Sequence, residues 1–300
     1  MSKGVLAAIA AYMIWGFSVL YWKLLDDIGS GDVVAHRILA TAIVLAVAHL
    51  VMRSWPRLRA ELRKPRVRRV AAASAALLAT NWVVFVWSVE TEQVVQTSLG
   101  YFINPLLSVL LGVFILGERM RPVQWFAVGL AALGVVVLTI DLRAVPWIAL
   151  VLAGTFAVYG LLRKTSPVGS LDGLSLEVGF MAPFALAVVL VRAMTGAGAV
   201  GASDPGRDLL LLGAGVVTAA PLLLFAVAAR RVELSVVGLL QYIAPTIQFL
   251  LSVLVLGEEW NGGQVVGFVL IWLALAVFAA EGMAKSAKGT FPPAAAVDSS

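Results

Sequence analysis

The chain has 300 residues, of which 61% are apolar and 13% charged, whereas soluble domains are about 45–50% apolar and about 25% charged. A soluble globule of this length could not cover so much apolar surface, so a water-soluble enzyme is excluded. The net charge of +5 is too small to indicate nucleic-acid binding. Without cysteine, and with only two histidines, the chain offers no disulfide, thiolate or zinc chemistry. We therefore expect an integral membrane protein without cofactor or metal.

Ten charge-poor windows follow one another along the chain, each close to the roughly 20 apolar residues that cross a bilayer as a helix. They are residues 4–22, 38–52, 70–89, 93–117, 122–140, 144–162, 178–191, 209–229, 234–257 and 260–280. The second and seventh are short, and they span only if their helices also include His36-Arg37 and Glu177. The first is expected to stay as an uncleaved anchor. The windows predict an all-α integral membrane protein with ten transmembrane helices.

Lysine and arginine are distributed unequally between the segments that join the windows. Residues 53–69 alone carry eight. With that segment in the cytoplasm, the positive-inside rule predicts that both termini are cytoplasmic. The tail from residue 283 to residue 300 is predicted to be disordered.

The two halves of the chain repeat each other at a spacing of about 140 residues. Residues 102–118 (FINPLLSVLLGVFILGE) overlay residues 242–258 (YIAPTIQFLLSVLVLGE) with a Pro, a Gly and a Glu in register, and a shift of 144 aligns Trp15-Gly16 with Tyr159-Gly160. Five helices per half place the second half upside down, as in secondary transporters. We predict repeats at 1–141 and 142–282; duplication retained for folding alone is the alternative.

Seven motifs spread over both halves carry a family resemblance: AYMIWG (11–16), HR (36–37), NW (81–82), GYFINP (100–105), LGER (116–119), YG (159–160) and QYIAP (241–245). In these segments the chain resembles the EamA family of the drug/metabolite transporter superfamily, specifically its RarD subfamily. The resemblance implies two inverted five-helix repeats, the drug/metabolite transporter fold, in the bacterial cytoplasmic (inner) membrane. It also implies export or exchange of small organic molecules.

Polar and aromatic residues lie at the centre of six predicted helices, where lipid offers them no partner. The expected substrate-binding residues are Trp15, Asn81, Trp82, Tyr101, Asn104, Tyr159, Gln241, Tyr242 and Gln248, and the expected kink prolines are Pro105, Pro221 and Pro245. Paired kinks at equivalent depth are typical of a transport site. Hydrogen bonds that only hold the bundle together are the alternative. The fifth and tenth helices lack such residues and are expected to face lipid or a second copy in a homodimer.

The prolines also predict local geometry. Pro105 frees the carbonyl of Tyr101, and Pro245 frees that of Gln241, for a ligand or a neighbouring helix. Tyr101 and Asn104 are three residues apart and are expected to share a helix face.

Arg37 and Glu177 are 140 residues apart and occupy equivalent places near opposite mouths of the predicted bundle. One explanation is that they snorkel to the headgroups. The other is that they gate the mouths, or that Glu177 takes part with His36 in proton coupling. The acids Glu118 and Glu258 follow helix-ending glycines, and either tie a helix end to a neighbouring arginine or are solvated.

These features favour a secondary active transporter, a permease or exporter rather than an enzyme, that moves a small amphipathic metabolite or drug by alternating access. ATP drive is excluded because no Walker motif is present. A membrane-embedded transferase acting on a lipid-linked substrate is the alternative, with Asp26-Asp27 and Asp32 as its candidate acids, and a channel is the third reading. The expected partners are the substrate and the bilayer, without nucleic acid.

Overall fold

The computed structural model describes residues 2–91, 93–140, 146–196, 198–199, 205–255 and 262–287, and all regular structure in these ranges is helical. The helices are α1 (Lys3–Lys23), α2 (Ser30–Val51), α3 (Trp55–Arg63), α4 (Pro65–Glu90), α5 (Val94–Phe114), α6 (Pro122–Ile140), α7 (Trp147–Thr165), α8 (Ser170–Met194), α9 (Pro205–Arg231), α10 (Leu234–Leu240), α11 (Ile243–Leu254) and α12 (Gly262–Ala287). Nine spans in the described ranges are long and apolar enough to cross a membrane, with α10 and α11 sharing one of them, and α12 supplies a shorter apolar stretch, Val265–Glu281. The predicted ten-helix membrane protein is confirmed.

The two short windows become full-length helices by extending at their N-terminal ends. α2 begins at Ser30 and α8 at Ser170, so both include the charged residues that the sequence required of them. Each has an aspartate in its first turn, Asp32 or Asp172, where a negative charge stabilises the helix dipole.

Two segments differ in extent from the sequence windows. The basic segment 53–69 contains the short helix α3 and the first turn of α4. At the other end of the chain, α12 continues to Ala287, and so includes the first five residues of the segment assigned to the tail. The rest of that tail, residues 288–300, lies outside the described residues.

The contacts between helices of different halves come in pairs that the repeat relates. The α1–α9 contact corresponds to the α7–α4 contact, and the α5–α7 contact corresponds to the α11–α1 contact. The pairs α2–α8 and α6–α12 each join equivalent helices, so a pseudo-twofold axis passes between them. This confirms the two inverted five-helix repeats. We call the side of the bundle where α1 begins and α12 ends the terminal face, and the other side the opposite face.

α6 and α12 pack against each other at close range through glycine. A Cβ atom added at Gly134 would lie 2.8 Å from the carbonyl oxygen of Gly267, and one added at Gly267 would lie 2.6 Å from the Leu138 side chain. Large apolar side chains such as Phe126 and Leu273 are exposed on the outside of this pair. The exposed apolar faces agree with the expectation that the fifth and tenth spans face lipid.

Candidate functional site

Three buried polar side chains from the two repeats meet deep within the bundle. The Ser108 hydroxyl of α5 lies 3.5 Å from both the Asn104 Oδ1 and the Gln241 Oε1 atoms. With one proton, the hydroxyl can donate to only one of these oxygens at a time. We call these three residues the polar junction. It joins α5 to the end of α10, so the structure brings together Asn104 and Gln241, two of the expected site residues. Ser108, one helical turn beyond Asn104, was not singled out from the sequence.

The ninth span is broken where the polar junction touches it. α10 ends at Leu240 and α11 begins at Ile243, upstream of Pro245. The N–H group of Ala244 donates a hydrogen bond of 3.3 Å to the Gln241 carbonyl oxygen, so the group that Pro245 frees is taken up locally. In the first repeat, α5 runs continuously past Pro105.

Two further expected residues, Tyr242 at the break and Tyr101 of α5, have different surroundings. Tyr242 is fully buried, and its hydroxyl donates a hydrogen bond of 3.0 Å to the Phe102 carbonyl oxygen of α5. Tyr101 is 43% exposed, whereas Asn104 is buried. The expected shared face of Tyr101 and Asn104 therefore does not become a shared environment, because one side chain is exposed and the other is buried.

An aromatic cluster occupies the interface between the two repeats. It consists of Tyr12 and Trp15 of α1, Phe156 and Tyr159 of α7, and Phe225 of α9, with centroids of contacting rings 5.2 to 6.4 Å apart. Tyr12 and Tyr159 are fully buried. Trp15 and Tyr159 were expected here, whereas the sequence argument missed Tyr12 and Phe156, which are 144 residues apart like Trp15 and Tyr159.

Three other expected residues make contacts with backbone atoms or lie inside a helix. The Gln248 amide donates to the Trp15 carbonyl oxygen at 3.3 Å. The Asn81 amide of α4 donates to the Leu152 carbonyl oxygen at 2.8 Å and to the Thr155 hydroxyl at 2.9 Å, which ties α4 to α7. Pro221 is buried inside the continuous helix α9.

Glu177 is buried in an ion network near the terminal face. Its carboxylate lies 3.1 Å from the Arg163 Nη1 atom and accepts a hydrogen bond of 3.1 Å from the Tyr159 hydroxyl. Arg163 also donates to the Ser170 carbonyl oxygen, and the Arg163 and Glu177 side chains are each only 1% exposed. Arg163 directly follows the apolar window 144–162, where a cation is expected to be solvated, yet it is buried, because α7 extends to Thr165 and Glu177 neutralises the guanidinium.

The equivalent charged residue of the first repeat, Arg37, lies among aromatic rings. Its guanidinium carbon is 4.3 Å from the centroid of Trp82 and 5.1 Å from that of Trp22. The neighbouring His36 has its Nδ1 atom 2.8 Å from the Asp32 carbonyl oxygen, in its own helix. His36 and Glu177 lie toward opposite faces of the bundle and do not meet.

Glu118 ties together two helix ends from different repeats. Its carboxylate accepts hydrogen bonds of 2.6 and 2.8 Å from the N–H groups of Leu234 and Ser235, at the start of α10. The Lys164 ammonium is 3.5 Å away. Partial desolvation and the Glu118 carboxylate raise the pKa of the adjacent Glu233. The sequence expected an arginine as partner; the structure shows an N-terminal cap and a lysine. Glu258 lies outside the described residues.

Two ion pairs at opposite faces are related by the repeat. Asp32 of α2 lies 2.7 Å from Arg192 at the end of α8, and Asp172 of α8 lies 2.9 Å from Arg57, which follows α2 on α3. Both aspartates are buried and both arginines are about half exposed.

Two of the three acids considered for a transferase site are engaged in ion pairs: Asp27 with Arg207, and Asp32 with Arg192. In the described part of the chain, no group of three or more His, Cys, Asp and Glu side chains is placed to hold a metal ion.

Comparison with known proteins agrees with this architecture. The EamA-like transporter family matches twice, over residues 2–140 and 144–280. The chain is 43% identical to the protein RarD of Streptomyces exfoliatus, covering 91% of this chain and 87% of that protein. It is 41% identical to a protein named as a transporter in Vibrio cholerae, covering 94% and 93%. A solved crystal structure, 19% identical, superposes with a TM-score of 0.72 over 92% of this chain and 96% of that one, which shows the fold. The chain is a multi-pass membrane protein and belongs to the EamA-like transporter family.

Proposed function

We propose that this protein is a secondary active transporter that moves a small amphipathic metabolite or drug by alternating access. The observation that carries the proposal is the polar junction of Asn104, Ser108 and Gln241. It lies at the break of the ninth span, where two inverted repeats meet, which is where substrate sites lie in transporters of this architecture.

The polar junction has the chemistry of a site that can bind a substrate and release it again. Its three side chains are amides and a hydroxyl, with both donors and acceptors and no formal charge. The Ser108 hydroxyl has two oxygens within 3.5 Å but a single proton. A substrate donor can therefore replace one of these weak contacts without leaving a buried charge unpaired.

Alternating access needs a closure on each side of the site, and ion pairs toward both faces of the bundle support this part of the proposal. The Arg163–Glu177 network and the Asp172–Arg57 pair lie toward the terminal face. The Asp32–Arg192 pair lies at the opposite face. We infer an occluded state between outward-open and inward-open states.

The proposed location is the bacterial cytoplasmic membrane with both termini in the cytoplasm. The basic segment that contains α3 lies at the terminal face, and lysine and arginine favour the cytoplasmic side. With this orientation, Glu177 faces the cytoplasm and Arg37 the outside.

Substrate counterflow in proteoliposomes tests the proposal. Candidate compounds are first ranked by thermal stabilisation of the detergent-purified protein, and the best are then loaded at millimolar concentration against a radiolabelled trace outside. We expect a saturable, transient overshoot of label. Chemical conversion of the compound would indicate an enzyme, and unsaturable flux would indicate a channel; either result would contradict the proposal.

Variants of the polar junction test whether the measured counterflow depends on that site. Asn104→Ala and Gln241→Ala are expected to lower the overshoot at least about tenfold, the effect of losing one to two substrate hydrogen bonds. Thr139→Ala is the matched control, because Thr139 lies on α6 and bonds only within its own helix. Its flux should equal that of the unmodified protein.

A further inference from the structure

Arg37 differs from its repeat-related counterpart in lacking a charged partner. Arg37 and Glu177 each lie seven residues beyond the start of their helix, about 10 Å along its axis. Glu177 is neutralised by Arg163. The first-repeat position equivalent to Arg163 under the shift of 144 is Val19, and no acidic side chain in the described part of the chain pairs with Arg37.

The surroundings of Arg37 hold its guanidinium in place without satisfying it. Trp22 of α1 and Trp82 of α4 lie against it, and these cation–π contacts use the planar faces of the group. Its Nε atom is buried and has no hydrogen-bond partner among the described residues. The five N–H donors, which lie in the plane of the group, are not used by either ring.

The guanidinium lies between helices of its own repeat. It belongs to α2, and the rings that contact it come from α1 and α4. Its terminal nitrogens are not among the buried atoms that lack a hydrogen-bond partner.

We propose that Arg37 is an anion anchor on the transport pathway, between the opposite face and the polar junction, and that the substrate carries a carboxylate. A carboxylate fits the planar fork of a guanidinium through two parallel hydrogen bonds, and it supplies the charge that the described residues do not. Trp22 and Trp82 favour a planar apolar body beside that carboxylate. The substrate class is therefore an amphipathic organic acid or amino acid. This inference rests on the proposed transport function and narrows its cargo.

Matched carboxylate and carboxamide probes test the anchor directly. Indole-3-acetate and indole-3-acetamide have the same planar body and differ in charge. Their affinities for the purified full-length protein are measured by isothermal titration calorimetry. We expect the acid to bind about 10- to 100-fold more tightly than the amide, the range for a hydrogen bond to a charged group. Absence of this preference, including no binding of either probe, would overturn the proposal.

Three variants test whether Arg37 causes the preference for the acid over the amide. Arg37→Gln is expected to abolish the preference while leaving the weak binding of the amide unchanged. Arg37→Lys keeps the charge without the planar fork, so it should retain part of the preference. Lys23→Gln removes an exposed cation from the same face, next to Trp22, and should behave like the unmodified protein.

The outcomes separate this inference from the transport function. If Arg37→Gln keeps the preference for the acid while counterflow is intact in the unmodified protein, the anchor is wrong and the transporter stands. If the preference is present and depends on Arg37 but no compound gives counterflow, the site stands and the transport function fails. The melting temperature of each variant shows whether it is folded.

Discussion

Arg163 and Glu177 show how a charged pair is accommodated inside an apolar bundle. Gly173 has no side chain, and a Cβ atom there would collide with the Arg163 guanidinium. The Tyr159 hydroxyl donates a hydrogen bond to Glu177, and the Ser170 carbonyl oxygen accepts one from Arg163, whose Nε atom has no partner among the described residues. Each charge is therefore tolerated only because of the other.

Removing one partner of this pair should be costly, and removing both should cost much less. We expect Arg163→Leu to destabilise the protein by about 3–5 kcal/mol, because it leaves the Glu177 carboxylate buried and unpaired. The double variant Arg163→Leu/Glu177→Leu should recover most of that loss. Thermal unfolding in detergent measures both.

Lys64→Leu is the control for this experiment, since Lys64 forms an exposed pair with Glu61. It should change stability by at most about 1 kcal/mol. Equal destabilisation by Arg163→Leu and by the double variant would contradict the argument.

At the residue scale, the sequence identifies which polar residues are unusual but not which of them meet. Asn104, Gln241, Arg37 and Glu177 stand out because lipid offers them no partner. The burial of Arg163 was missed because it follows an apolar window, where a cation ordinarily reaches the headgroups. Its pairing with Glu177 depends on how the short connection between α7 and α8 places the end of one helix beside the start of the next, which no local pattern encodes.

At the scale of an element, the contact between α6 and α12 likewise depends on packing that no local sequence pattern encodes. Both spans were recognised by length and hydropathy, and their outer faces are apolar. Their mutual contact depends on Gly134 and Gly267, which allow the backbones to approach, as small residues do in membrane helix pairs.

Gly134→Ala should therefore separate α6 from α12. Its Cβ atom would lie 2.8 Å from a backbone oxygen, so a helix must shift, at a cost of about 1–3 kcal/mol. Gly129→Ala on the same helix adds a methyl group to open space and should leave the melting temperature unchanged or slightly raised. Equal melting temperatures for the two variants would show that the close contact is unimportant.

The ends of the helices could be predicted where an apolar window gives way to charged residues. They could not be predicted where packing between helices determines them. The windows located all ten spans because a helix in lipid needs about 20 apolar residues. Pro105 and Pro245 stand at equivalent places, yet only the ninth span is broken, since α5 keeps its helix past Pro105. A proline at this position therefore does not by itself break the helix.

At the scale of the molecule, the inverted repeat places matched ion pairs at both faces. Asp32 and Asp172 are 140 residues apart, and each binds an arginine of another helix: Asp32 of α2 binds Arg192 of α8, and Asp172 of α8 binds Arg57 of α3. Under the proposed alternating-access mechanism, opening one face of the bundle would require one of these pairs to separate.

Neutralising each aspartate should shift the protein toward opposite open states. The chain contains no cysteine, so Ser74→Cys, a substitution at a buried site of α4, provides a single reactive group toward the terminal face. We expect Asp172→Asn to raise its rate of maleimide labelling about two- to tenfold, the effect of one ion pair. Asp32→Asn should not raise it.

Glu61→Gln serves as the control for labelling, because it removes an acid from an exposed pair on α3. Its rate should match that of the Ser74→Cys protein. If both aspartate variants raised the rate equally, the two pairs would not act on opposite faces.

The bond from Asn81 to α7 also bears on how the protein is made. The partners of Asn81 are Leu152 and Thr155, and the Ser108 hydroxyl beside Asn104 contacts Gln241, so both contacts need helices that are translated later. Until those helices leave the ribosome, the nascent first half carries amides that the membrane cannot solvate. The first five spans should therefore stay in the protected environment of the insertion machinery, and be released to lipid only with the second five.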